Sequence, residues 1–385
     1  MREGGGSIRI ASWPHWYAPN PYLELLYAAL RPYGVEHVRN IPLDWKVLTD
    51  RSVNVWAAHV HWPEPFWRER GGALPGRLWG VVQLQRFLAG ARRRGIRVIW
   101  TVHNLEHHEG VQLCDRLGYR LLHHAVDLRI FTSEWARRVA VDRYGRKDQS
   151  LVMPIGNYDG ALPPPRSRVE TLRAEGIPEH RKVLLCFGQV RRYKGFDVAA
   201  EAMKYLPDDQ FHLVVAGRPM PPFAGALHSA AAAAPNVTLR LQDVDDQRLA
   251  DLIAASDAVL LPYRTITGSA ALLTALSFAK AVVASDLPYF REVLDVEPDA
   301  RVLTAPGDAQ ALAGGIREFF AVAQLRRARA ARAIASQLTW PHVVRPVAEW
   351  IVANAAGDHS RRCATAADGV PLRPSAGHTS GRVGP

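Results

Sequence analysis

"KVLLCFGQVRRYKGFD", residues 182–197, decides the fold. The apolar run Val183–Phe187 fits a strand buried on both faces, as in a parallel sheet, with Cys186 an apolar filler inside it. Gly188 then allows close backbone approach, a basic turn brings Arg191 and Lys194, and a helix-length segment follows. Strand, tight turn and helix form the unit of a doubly wound α/β domain, whose ligands sit beyond the carboxyl ends of the strands. Two cations beside a helix N-terminus suit a phosphate, although Arg191, Arg192 and Lys194 could equally solvate a loop.

A second turn of this kind closes "LLPYRTITGSAALLTALSFAKAVVASD" (260–286). Here a buried strand runs into Thr267 and Gly268, and Ser269 caps a helix of small residues whose free N–H groups could hold a diphosphate. Two anion-competent turns on one sheet favour a nucleotide-diphosphate site over a plain N-cap. Further strands are expected at 7–13, 53–62, 96–102, 127–133, 150–155, 211–217 and 236–242, with helices at 21–31, 78–93, 112–125 and 134–144. Two Rossmann-like domains facing across a cleft follow: 1–160, a proline-rich linker at 161–180, and 181–338. A closing helix at 339–355 and a disordered Gly/Pro/Ser-rich tail at 356–385 complete the expected chain.

The 385 residues carry a net charge of +11 but no apolar run long enough to span a membrane and no signal-peptide pattern, so a cytosolic chain is expected. Three scattered cysteines build neither a disulfide framework nor a metal site. The charge is concentrated at 66–97, where eight arginines face one glutamate among Phe66, Trp67 and Trp79, with Trp62 just before them. Basic and aromatic residues together suit an anionic membrane surface. No nucleic-acid-binding signature accompanies them.

In the first half, "HVHWPE" (59–64) and "TVHNLEHHEG" (101–110) end two strands. His103, Glu106 and His107 spell H-x-x-E-H, a zinc signature, but a metallopeptidase needs that motif on one helix, whereas His103 directly follows an apolar strand. We expect no metal. His59, two residues from His61, is expected on the opposite, packed side.

Taken together, "G-x-x-R-x-Y-K-G" (188–195), "VVAGRP" (214–219), the 260–286 stretch, "NPYLELLYAAL" (20–30) and the two histidine motifs resemble GT-B glycosyltransferases over residues 7–352. The resemblance is greatest to the GDP-mannose:glycolipid 4-β-mannosyltransferases, an inverting group. It implies a nucleotide-sugar donor, GDP-mannose, with no metal, a lipid-linked saccharide acceptor, and peripheral placement on the cytosolic membrane face. Donor contacts would fall to Gly188, Arg191, Lys194, Gly217, Gln242, Thr267, Gly268 and Ser269. The base would be Glu109, with Glu64 its rival and His61 and His103 beside them. Asn20, Tyr22, Asn104 and His108 would border the acceptor. Many retaining relatives have two glutamates where this chain has Ile266 and Thr274, and a glycine-arginine pair where it has Gly188-Gln189, which favours inversion. The same machinery acting on a soluble acceptor, or a silent nucleotide-sugar-binding protein, are the alternatives.

Overall fold

A computed structural model describes residues 7–13, 21–39, 53–68, 74–106, 112–145, 148–220 and 224–367, with side chains as far as Asp358. Asn20, His107, His108 and Glu109 lie outside these residues.

Two six-stranded parallel sheets form the frame. The first comprises β1 (Ile8–Trp13), β2 (Val35–Val38), β3 (Ala57–Val60), β4 (Arg97–Val102), β5 (Leu128–Phe131) and β6 (Ser150–Val152), in the order β2-β1-β3-β4-β5-β6. The second comprises β7 (Lys182–Phe187), β8 (Phe211–Ala216), β9 (Val237–Arg240), β10 (Ala258–Leu261), β11 (Val282–Ser285) and β12 (Arg301–Thr304), in the order β12-β11-β10-β7-β8-β9. The expected strands are present, shortened at their ends. Sequence reasoning missed β2 and β12, each one of the two edge strands of its sheet. Each is four residues long, and β2 buries only Val35, so neither shows the apolar run that marks a central strand.

The central strands are packed on both faces. In β8 every residue is buried, and its register against β7 sets Leu185 beside Val214 and Phe187 beside Ala216. One core lies over the face of the first sheet covered by the helices Leu74–Arg93 and Leu113–Ala125. The other runs through the second domain and on to Tyr22, Leu26 and Leu30 of the first.

That continuity comes from the chain's end. After the helices Ala309–Phe320 and Gln324–Gln337, the short helix Trp340–Val343 packs on Tyr22–Leu30. Helix Arg345–Ala367 then returns to the first domain, where Asp358 accepts from Arg97 at 2.7 and 2.9 Å and from Trp56 Nε1 at 3.3 Å. The helix therefore continues past the boundary expected at 355, because Arg97 pairs with a carboxylate inside the anticipated tail.

Candidate active site

In each sheet the strand order reverses next to the first strand, and a cleft opens at such a point. In the second sheet the reversal lies between β7 and β10, and both anion-competent turns leave from these two strands. Gly188 (φ 96°) ends β7, and Gly195 (φ 65°) precedes helix Phe196–Ala202. A Cβ on Gly195 would lie 2.0 Å from the carbonyl oxygen of Pro262, and one on Gly217 would lie 2.0 Å from that of Gly188. Only glycine lets these backbones meet. Arg264 N–H donates to Tyr193 O at 2.7 Å, and its guanidinium donates to Arg192 O and pairs with Asp197 at 2.8 Å. The two turns are thus one braced unit, and no local motif marks Arg264 as the brace.

Lys194 stands at the centre of this unit. Its Nζ lies 5.7 Å from the ring centre of Phe196 and 5.8 Å from that of Tyr263, and among the described residues it has no hydrogen-bond or carboxylate partner. Burial, and then the charge of Arg191, bring its ammonium down to about 8. Arg191 itself donates to Gln189 Oε1 at 3.0 Å. Ser269 caps helix Ala270–Ser277, its hydroxyl accepting from Leu272 N–H at 3.1 Å. Ile266 and Thr274 are buried, and Thr274 Oγ1 donates to Ala270 O. Gln242 is exposed beyond β9 and is not joined to the cluster.

The first sheet reverses between β1 and β3. His61 follows β3 and His103 follows β4, and their rings meet through Nδ1 and Nε2 at 3.2 Å. Burial keeps both neutral, taking His103 to about 3 and His61 well below its usual value, with the neighbouring histidines adding to the shift of His61. His61 Nε2 is buried without a hydrogen-bond partner among the described residues. Trp62 stacks on His103 at 4.5 Å, and Tyr22 meets the His103 ring edge-on at 5.1 Å. Glu64, 8% exposed, accepts at Oε1 from Tyr119 O–H at 2.6 Å and from Asn104 Nδ2 at 3.3 Å. His61, Glu64, His103 and Asn104 are therefore brought together. Tyr119 joins them unanticipated, from 55 residues away in sequence.

Two expectations need correction. His59 is not on the opposite side from His61: their ring centres are 4.0 Å apart, because residues two apart on a strand share a face. His59 is instead held by Tyr27 O–H at 3.0 Å and Thr101 Oγ1 at 2.8 Å. The reading of the H-x-x-E-H stretch as a strand end holds for its described part: residues 103–106 form a bend, not a helix, and Glu106 pairs with Arg143 at 2.5 Å. The basic patch is smaller than its sequence, since Arg68 pairs with Asp115, Arg97 with Asp127 and Asp358, and Phe66 and Trp67 are buried. Leu74, Leu78, Trp79, Val82, Arg86, Arg92 and Arg93 remain as an exposed face of one helix, with Arg86 over the Trp79 ring at 4.9 Å.

The domains meet at the Thr267–Ser269 turn. Thr132 Oγ1, past β5, donates to Thr267 O at 3.0 Å, and a Cβ on Gly268 would lie 3.0 Å from that hydroxyl. Glu292 accepts from the N–H groups of Glu134 and Trp135 at 2.5 and 2.8 Å, so a carboxylate of the second domain caps a helix of the first.

Residues 181–321 match the family described as glycosyl transferases group 1. Over 268 residues, 69% of this chain and 69% of the relative, the sequence is 29% identical to the GDP-mannose:glycolipid 4-beta-D-mannosyltransferase of Xanthomonas campestris pv. campestris. Among solved structures, the Anabaena protein HepE in complex with UDP and glucose superposes with a TM-score of 0.70 at 17% identity, covering 90% of this chain and 100% of that one. WaaG, a glycosyltransferase involved in lipopolysaccharide biosynthesis, does so with a TM-score of 0.62 at 18% identity, covering 89% and 99%. The chain has the GT-B fold, and the family match falls in its second domain.

Proposed function

We propose that this chain transfers mannose from GDP-mannose, with inversion, onto a lipid-linked saccharide. The observation that carries the reading is Lys194: an ammonium without a carboxylate partner among the described residues, at the reversal of a parallel sheet and beside a capped helix start. A diphosphate supplies the missing charge. Lys194, Arg191 and the N–H groups after Ser269 stabilise it as it departs, a role for fixed positive charge and dipoles. The mannosyl and glycolipid parts of the reading are supported by the 29% identical relative.

The acceptor hydroxyl enters from the first domain. Glu64 takes its proton at Oε2, the hydroxyl oxygen bonds to the anomeric carbon, and the bond from that carbon to the diphosphate oxygen breaks. Among the described residues Oε2 accepts no hydrogen bond, which supports Glu64 as the base; Glu109, the first candidate from sequence, lies outside them. The partly exposed, neutral ring of His103, held by fully buried His61, offers a hydrogen bond to a sugar hydroxyl without adding charge. Ile266 and Thr274, in place of carboxylates, support inversion.

The exposed Leu74–Arg93 face supports docking on an anionic membrane, with Leu74, Leu78 and Trp79 reaching the headgroup boundary and Arg86, Arg92 and Arg93 meeting lipid charge. Among the described residues no helix is long and apolar enough to cross a membrane. The test is nucleotide release from GDP-mannose, UDP-glucose, UDP-GlcNAc and UDP-glucuronate. Preferred turnover of GDP-mannose is expected. Preference for a uridine donor would replace the donor assignment, and binding without turnover would reduce the chain to a nucleotide-sugar-binding protein.

A further inference from the structure

We propose that Tyr119 is the positioning residue that orients Glu64 for proton transfer, an assignment that rests on Glu64 being the base. Two ties join segment 64–68 to helix Leu113–Ala125, and they differ in kind. In the first, wholly buried Asp115 accepts from Trp67 Nε1 at 2.7 Å, from Arg68 Nε and Nη2 at 2.8 and 2.6 Å, and from Gln112 N–H at 2.7 Å. Both of its oxygens are saturated, so this tie is structural.

The second tie leaves one oxygen open. Glu64 Oε1 receives both hydrogen bonds, from Tyr119 and Asn104, while Oε2 receives none among the described residues. A carboxylate pinned through one oxygen presents the other in a fixed direction, which is what proton transfer from a bound hydroxyl requires. The pin is itself rigid. Tyr119 is 2% exposed, with Trp100 stacked at 6.1 Å and Trp67 edge-on at 5.6 Å. Gly118 brings the helix down onto Trp67, since a Cβ there would lie 2.7 Å from the indole. Burial, followed by the charge of Glu64, pushes the phenol far above its ordinary range, so it stays a donor at every working pH.

The test is a double-mutant cycle on kcat for hydrolysis of whichever of the four nucleotide sugars the wild-type chain turns over, with water in the acceptor's place. Tyr119→Phe should lower kcat roughly 10- to 100-fold, the scale of a misplaced catalytic group, and leave the donor KM unchanged. In a Glu64→Gln background the same change should cost nothing further, because the group it orients is gone. Asp115→Asn is the contrast, expected to lower Tm with little effect on the kcat of folded protein. An equal loss in both backgrounds would show Tyr119 acting apart from Glu64 and overturn the inference. So would wild-type kcat in Tyr119→Phe beside a crippled Glu64→Gln, a result that leaves the base in place. Wild-type turnover in Glu64→Gln would remove both assignments.

Discussion

The two proposed half-sites, one for the donor and one for the acceptor, solve opposite problems. The donor half is built from backbone: Gly188, Gly195 and Gly217 let chain segments touch, a helix start offers N–H groups, and the charge of Lys194 waits for a partner. The acceptor half is built from side chains already bonded to one another: neutral His61 to neutral His103, and Tyr119 and Asn104 to the Glu64 carboxylate. A leaving diphosphate needs positive charge held in place, whereas a sugar hydroxyl needs a defined acceptor and neutral neighbours. The difference teaches that each half is matched to the charge of what it meets.

The largest effect should come from the acceptor half. Glu64→Gln keeps shape and donor affinity and should lose ~10²–10⁴-fold in kcat, the usual scale of a lost general base. Steady-state kinetics decide it; an unchanged kcat beside a crippled Glu109→Gln would move the base to Glu109. Next comes Lys194→Ala, expected to lower kcat/KM by ~10²-fold, as for loss of one group stabilising a leaving charge. The ammonium form of Lys194 is the one that meets a diphosphate, so donor affinity should fall as pH rises through about 8. Titrations of GDP across that range would show it, and the slope should vanish in Lys194→Ala.

The donor half was the legible one. Its motifs are local: an apolar strand, a glycine and a basic turn fall within sixteen residues at 182–197. The acceptor half depends on contacts between residues 40 to 55 apart in sequence, Glu64 with Asn104 and Tyr119 and His61 with His103. Sequence pattern could place His61 and His103 at strand ends but could not register one strand end against the other. Tyr119 is one more apolar-face residue of a helix until the fold brings Glu64 beneath it. The misreading of His59 had a simpler cause, since strand periodicity puts positions 59 and 61 on one face. Likewise, the arginine count at 66–97 could not say which side chains the core and its carboxylates would use.

Acidification should separate the halves further. His59, His103 and His123, all in the first domain, sit at about 3 because burial disfavours their charged forms. The unfolded chain binds protons below about 6.5 that these folded rings refuse, so stability falls as pH drops from there towards 3, by up to about 1.4 kcal/mol per ring per pH unit. Hydrogen exchange at pH 5 should show the first domain opening before the second, where His212 is the counterpart at about 4. Simultaneous opening would break the comparison. The smallest effect on catalysis, none, belongs to the exposed helix: replacing Arg86, Arg92 and Arg93 by Ser should weaken binding to anionic vesicles by about 1 kcal/mol per arginine at low salt, without changing donor hydrolysis.

The measurement that bears most directly on the central claim is the configuration of the product. Proton NMR during turnover of an α-linked nucleotide sugar should show a newly formed β anomeric centre, as the proposed displacement of a Lys194-held diphosphate by a hydroxyl that Glu64 activates requires. An α product would contradict direct displacement and remove Glu64 from its role as base.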